Sequence, residues 1–144
     1  DMELLKEQLV EAKSEERKRE VEAKITSGER LFQANEWLGK GSNHLLNKKN
    51  DDAIEAFTSA IALSPSIEAY WGRGLALAFQ GKYDRAIQDY NEAILIDPNQ
   101  FHAYFLRGNA YGKQGQYDKA IEDYNRAIAL KPGDAVVYRV VLYI

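Results

Sequence analysis

The sequence predicts an all-α chain: a stack of antiparallel helix pairs, preceded by a charged helix. Three observations carry this. Residues 69–98 (AYWGRGLALAFQGKYDRAIQDYNEAILIDP) and 103–132 (AYFLRGNAYGKQGQYDKAIEDYNRAIALKP) superpose without a gap when Ala69 is laid on Ala103. A degenerate copy lies upstream over residues 37–65, one residue short in the loop after Pro65. Within each copy, apolar residues recur at helical spacing on both sides of a short polar turn. A fixed period of this length marks an array in which each unit buries its apolar face only by stacking on its neighbours.

Taken in order, residues 1–33 form a charged N-terminal extension, nearly free of Gly and Pro and rich in Glu, Lys and Arg, which favours helix. Leu5, Leu9 and Ala12 share one helical spacing, and Val21, Ile25 and Gly28 another. Between them residues 13–20 hold no apolar side chain, so the expectation is a solvated helix. A coiled-coil or docking helix is the alternative, against which the broken heptad counts. Gly28 predicts either a bend near Ser27 or a helix that runs straight into the first repeat.

The first repeat is placed at residues 34–66, the second at 67–100 and the third at 101–134. In the second, Ala69, Tyr70, Arg73, Gly74 and Leu77 build one helix. Gly81 ends it, since positive φ strains glycine little. Asp84 opens the next helix as a candidate cap, and Ala86, Ile87, Tyr90, Ala93 and Ile94 form its apolar stripe. Pro98 closes the unit, because the residue before proline is biased out of helix. The third repeat follows with Gly115, Asp118 and Pro132. In the first, Lys48 replaces the stop glycine, so that turn is expected to be less well defined. Gly74 and Gly108 let paired helices approach closely, and large aromatics fill the space around them. Residues 135–144 (AVVYRVVLYI) read as the first helix of an incomplete fourth repeat. Asp1 in place of an initiator methionine suggests a piece cut from a longer protein. Val137, Val141, Leu142 and Ile144 would then meet water and drive self-association, or take cover from Leu5 and Leu9, because burying each is worth about 1.5–3 kcal/mol.

Composition removes several function classes. The net charge is −3, whereas nucleic-acid-binding domains are usually basic on one face. No apolar run approaches a membrane span. Cysteine is absent, which removes disulfides, thiol catalysis and thiolate metal sites; this fits a cytoplasmic chain, though an extracellular one could share it. His44 takes an aromatic packing slot. His102 lies in the third repeat with no fixed partner, and one histidine does not make an acid–base or metal site. No enzyme, cofactor or metal site is expected.

The repeats resemble the tetratricopeptide repeat family, whose pattern is W-x2-L-G-x2-Y, then A-x3-F, then P. Its slots are filled by Trp37, Gly41, His44, Ala53, Phe57, Ala60 and Pro65. Tyr70, Gly74, Leu77, Ala86, Tyr90, Ala93 and Pro98 fill them next, then Tyr104, Gly108, Tyr111, Ala120, Tyr124, Ala127 and Pro132. One departure is regular. The leucine slot holds Lys40, Arg73 and Arg107, whose stems can pack while their heads reach a carboxylate; Asp89 and Asp123 are candidate partners.

The resemblance implies a solenoid, a right-handed superhelix of antiparallel helix pairs, in which the first helices line a concave groove that binds a peptide or helix. Carried over, the groove comprises Leu38, Ser42 and Leu45, then Glu68, Trp71, Leu75 and Phe79, then His102, Phe105, Asn109 and Lys113, with Arg139 beyond. Trp71, Phe79 and Phe105 are the expected anchors, with core packing as the alternative for Trp71 and Phe105. Asn109 can hold a peptide backbone by donating and accepting. Chaperone-binding members grip a C-terminal carboxylate with lysines, asparagines and an arginine. The matching places here are Leu38, Ser42, Gly72, His102 and Leu106, and none has the required type. The reading is a non-enzymatic protein-interaction scaffold; the alternative is a homotypic assembly module, a homo-oligomer joined through its terminal helices.

Overall fold

A computed structural model describes residues 2–131, all of whose regular structure is helical. The chain runs α1 (Met2–Leu46), α2 (Asn50–Leu63), α3 (Ile67–Phe79), α4 (Tyr83–Ile96), α5 (Phe101–Lys113) and α6 (Tyr117–Leu130). The expected incomplete repeat, with Val137, Arg139, Val141, Leu142 and Ile144, lies outside the described residues.

α1 is one continuous helix of 45 residues. It runs through Gly28 into the first repeat without a break, and no side chain crowds Gly28. Every described residue before Ala34 is exposed, Leu5, Leu9, Val21, Ile25 and Phe32 included. Only the final part packs. Ala34 and Gly41 are buried, and Leu38 and Leu45 lie on the core formed by Ala53, Phe57 and Ala76.

The three turns inside the hairpins share one geometry, which corrects the expectation for the first. Gly81 and Gly115 have φ of 75° and 76°, and Lys48 has 58°. The closing bonds also match. Lys49 N donates to His44 O at 2.8 Å, Lys82 N to Leu77 O at 2.9 Å and Gln116 N to Tyr111 O at 2.9 Å. The turn is fully formed around Lys48 because hairpin packing on both sides dictates its path. The strain falls on one lysine, since a Cβ disfavours left-handed backbone.

Asp84 does not cap its helix. The cap position of α4 is Lys82, with no side-chain bond, and the Asp84 carboxylate instead accepts from Gln114 Nε2 of the next repeat. Asp51 likewise accepts from Gln80 Nε2 at 2.6 Å. Both acids still stand in the first turns of their helices, where negative charge favours the helix dipole. A side-chain cap does form at α3, where Ser66 Oγ accepts from Ala69 N at 3.2 Å. Before α5, Asp97 orders the loop by accepting from Asn99 N and Gln100 Nε2. These bonds, the Asn99 amide foremost, hold its carboxyl below the usual range.

The hairpins close tightly. A Cβ on Gly74 would stand 2.6 Å from Tyr90 Cε1, and one on Gly108 would stand 2.9 Å from Tyr124 Cε1. Tyr90 is almost completely buried beside Leu77, Ala86, Ile87 and Ala110. Burial pushes its phenol far above the ordinary range, with the Asp89 charge adding to the effect.

A ladder of arginines ties hairpins together. Arg73 donates from Nε and Nη2 to both oxygens of Asp89, each at 2.8 Å. Arg107 does the same to Asp123 at 2.8 and 2.7 Å. The planar guanidinium matches a carboxylate in this way and a lysine would not. Hydrogen bonding to these carboxylates is the main reason both guanidinium pKa values are raised. Each arginine also reaches back one repeat, Arg73 to Thr58 Oγ1 at 3.2 Å and Arg107 to Asn91 Oδ1 at 2.8 Å. In the first repeat the rung is lost: Ala56 stands where Asp89 and Asp123 stand, and Lys40 lies instead over the Trp37 ring, 4.4 Å from its centre, a cation–π contact.

Candidate groove on the first helices

Consecutive helices all pack on one another. Among the first helices, α1 also touches α3 and α3 touches α5, whereas no comparable contact joins α2 to α4 or α4 to α6. The row of first helices is therefore the tighter, inner side of the stack. Side chains on it converge, and a ligand lying there meets several repeats at once.

The predicted groove residues divide between this surface and the core. Leu38 and Leu45 are half-buried against Phe57. Trp71 is half-buried against the Leu77–Tyr90 cluster, and its ring stacks on His102, with centroids 6.2 Å apart and planes at 12°. Phe105 packs on Phe101, Tyr104 and Ala127, 5.9 Å from the Tyr124 ring. These aromatics thus pack inward and stay partly exposed. Glu68 and Ser42 are exposed, and the Ser42 hydroxyl donates to Leu38 O within its own helix.

The remaining four come together. Leu75 and Phe79 of α3 face Asn109 and Lys113 of α5 across a pocket of about 650 Å³ that Leu106, Tyr83, Tyr90 and Tyr124 also line. Phe79 is 62% exposed at the end of its helix, so its ring borders the pocket without serving the core. The Tyr124 hydroxyl donates to Asn109 Oδ1 at 2.5 Å, which orients the amide and takes one of the carbonyl's two acceptor sites, leaving Asn109 able both to donate and to accept. Burial, and then the Asp123 charge, raise the Tyr124 pKa, so the phenol keeps the proton that it donates.

Sequence reasoning missed Tyr83 and Leu106 as wall residues, and it missed the role of Gly72. A Cβ on Gly72 would stand 2.6 Å from Phe57 Cζ. Phe57 thereby closes on the second repeat, while Leu106, at the same register in the third, rests on the Tyr90 cluster. The repeat register was the available signal: Gly72 and Leu106 align, and so glycine and leucine there require different spacing. Of the places that would grip a C-terminal carboxylate, Leu38, Gly72 and Leu106 are thus committed to packing. Among the described residues, no three His, Asp or Glu side chains gather as a metal site, and no helix is long and apolar enough to cross a membrane.

Stacked helical hairpins with one inner row of first helices define a helical-repeat solenoid. Its repeats are tetratricopeptide repeats: the tetratricopeptide repeat family matches residues 102–134 and a second TPR repeat family matches residues 77–115. Solved structures agree. The Arabidopsis OM64 TPR domain superposes with a TM-score of 0.70 at 28% identity, over 72% of this chain and 87% of that one. The second TPR domain of Spaghetti (RPAP3), bound to the HSP90 peptide SRMEEVD, gives 0.70 at 26% identity over 73% and 97%. The TPR2B domain of yeast Sti1, in a complex with pHsp70, gives 0.68 at 29% over 75% and 85%. No curated protein matches the chain.

Proposed function

We propose that this chain is a non-enzymatic protein-interaction module that holds a peptide or helix with apolar anchors along α1, α3 and α5. The observation that carries it is the pocket between α3 and α5, with Phe79 exposed at its lip. An open apolar pocket with few polar groups is the usual form of a ligand site, and aromatic anchors in such pockets dominate binding energy. The peptide complexes of the RPAP3 and Sti1 domains support use of the groove. The recognition chemistry proposed here differs from a carboxylate grip, because Leu38, Ser42, Gly72, His102 and Leu106 offer no lysine, asparagine or arginine.

Phe79→Ala is the cleanest test, because so exposed a side chain contributes little to the fold. Loss of at least tenfold in affinity for peptides selected on the intact chain, with an unchanged far-UV spectrum, is expected. Trp71→Ala and Phe105→Ala should weaken capture as well. Unaltered binding in all three variants would sink the groove reading.

A second reading rests on a separate observation. Val21, Ile25 and Phe32 are exposed along one side of α1, and such a row favours association between copies. Light scattering on the chain and on a Val21→Glu, Ile25→Glu variant decides it. A dimer or larger species that becomes monomeric in the variant supports assembly through α1, and a monomer in both removes it.

A further inference from the structure

We infer that a second copy of this chain covers α1, and that the two α1 helices pair in parallel and in register along a stripe from Val21 to Leu46. This rests on the assembly reading above and gives that interface its orientation and its extent.

From Val21, alternating steps of four and three residues pass through Ile25, Gly28, Phe32 and Asn35 and end at Leu46. That spacing is the seam of a helix paired with another. Every position on the stripe is exposed and none carries a charge. The stripe begins after the charged run of residues 13–20 that breaks the heptad, and it keeps its register where α1 starts to pack. The buried residues there, Ala34 and Gly41, fall on the other side of the helix, so the stripe and the hairpin stack take different faces of α1. A solvated extension accounts for the charged run. It does not account for an uncharged stripe that continues through the packed end of the helix.

Gly28 shows what the stripe is shaped for. Glycine weakens a helix interior, and a Cβ on Gly28 would meet nothing within 4 Å, so its own chain makes no use of the space. Other glycines of these helices do. Gly41, Gly74 and Gly108 each admit an aromatic ring from the helix packed on them, Phe57, Tyr90 and Tyr124 in turn. In a paired α1, knobs-into-holes packing puts Phe32 of one copy into a hole bordered by Gly28 and Asn35 of the other. The small residues thus make room for the large one.

Charge sets the direction. Arg17 and Lys24 flank the stripe on one side, and Glu22, Glu29 and Glu36 flank it on the other. None of these five makes an ion pair among the described residues. Parallel pairing brings Arg17 beside Glu22 of the second copy and Lys24 beside Glu29 of the second copy, and the two-fold axis repeats both contacts. Antiparallel pairing would set the glutamates of one copy against those of the other, which like charge opposes.

The test uses sedimentation equilibrium on the full chain. The chain should dimerise. Glu22→Lys with Glu29→Lys should weaken the dimer by roughly tenfold, and adding Arg17→Glu and Lys24→Glu should restore it. Because the chain has no cysteine, Asn35→Cys reports the geometry. Under mild oxidation it should give a disulfide-linked dimer, since a parallel seam holds the two positions within disulfide reach. Arg30→Cys, on the opposite side of the helix, should not. A dimer that Val21→Glu with Ile25→Glu abolishes, but that the lysine changes leave unaltered or that Asn35→Cys traps no better than Arg30→Cys, overturns the parallel pairing and leaves assembly through α1 standing. A monomer at every concentration, or a dimer that survives Val21→Glu with Ile25→Glu, overturns both.

Discussion

Replacing Lys48 by glycine should stabilise the protein. The lysine sits at φ 58°, in the place where the other two hairpins have Gly81 and Gly115 at 75° and 76°. A side chain in left-handed backbone costs about 1–2 kcal/mol. Glycine gives back part of this, because its greater freedom in the unfolded chain costs about 0.4–1 kcal/mol. The difference is a net gain of about 0.5–1 kcal/mol. Nothing else is lost, since the Lys48 side chain is exposed and makes no ion pair among the described residues. Urea unfolding followed by far-UV circular dichroism measures the change, and a midpoint rise of a few degrees in thermal unfolding should accompany it. The mirror experiment, Gly81→Lys, should cost a comparable amount. A Lys48→Gly protein of unchanged or lower stability would refute this, and would mean that the backbone relaxes away from this conformation once the flanking helices are free to choose.

Further outcomes follow from the core. Arg107→Ala leaves Asp123, only 5% exposed, without its bidentate partner; a loss of about 3 kcal/mol in urea unfolding is expected. Asp123→Asn should restore part of that loss in the double variant. Gly74→Ala drives a methyl into the Tyr90 ring and should cost about 1–3 kcal/mol, with partial rescue by Tyr90→Leu. Tyr90 also sets an alkaline limit. Its folded pKa is raised by burial, so above the ordinary tyrosine pKa of about 10 the unfolded chain loses a proton that the folded chain keeps. Stability therefore falls as pH rises past that point, by up to about 1.4 kcal/mol per pH unit from this group. Tyr90→Phe should flatten that slope in denaturation curves measured between neutral and strongly alkaline pH.

Much of this was legible beforehand because it is periodic. The pairing of Arg73 with Asp89 and of Arg107 with Asp123 could be read from a cation recurring in a leucine slot, at a constant distance before an acid in the next helix. The close glycines were legible from their fixed place opposite a tyrosine. Capping was not. Asp84 has the residue type of an N-cap and stands beside the helix start, but Gln114 of the following repeat competes for the carboxylate. Nor does the sequence show that a tyrosine hydroxyl from the next helix meets the Asn109 carbonyl and orients its amide.

Local sequence and its period specify the hairpin: its two helices, the glycine turns of the second and third repeats, and its buried small and aromatic partners. These depend on residues a few positions apart, or on a period that repeats them. Tertiary structure alone decided which surface is open and where it forms a pocket. That outcome rests on how closely successive hairpins stack, which depends on the size of one side chain against another in the neighbouring repeat. Gly72 lets Phe57 close one junction, and Leu106 on Tyr90 spaces the next. The register lines those residues up, but only packing in three dimensions turns a difference in side-chain volume into a place where a ligand fits.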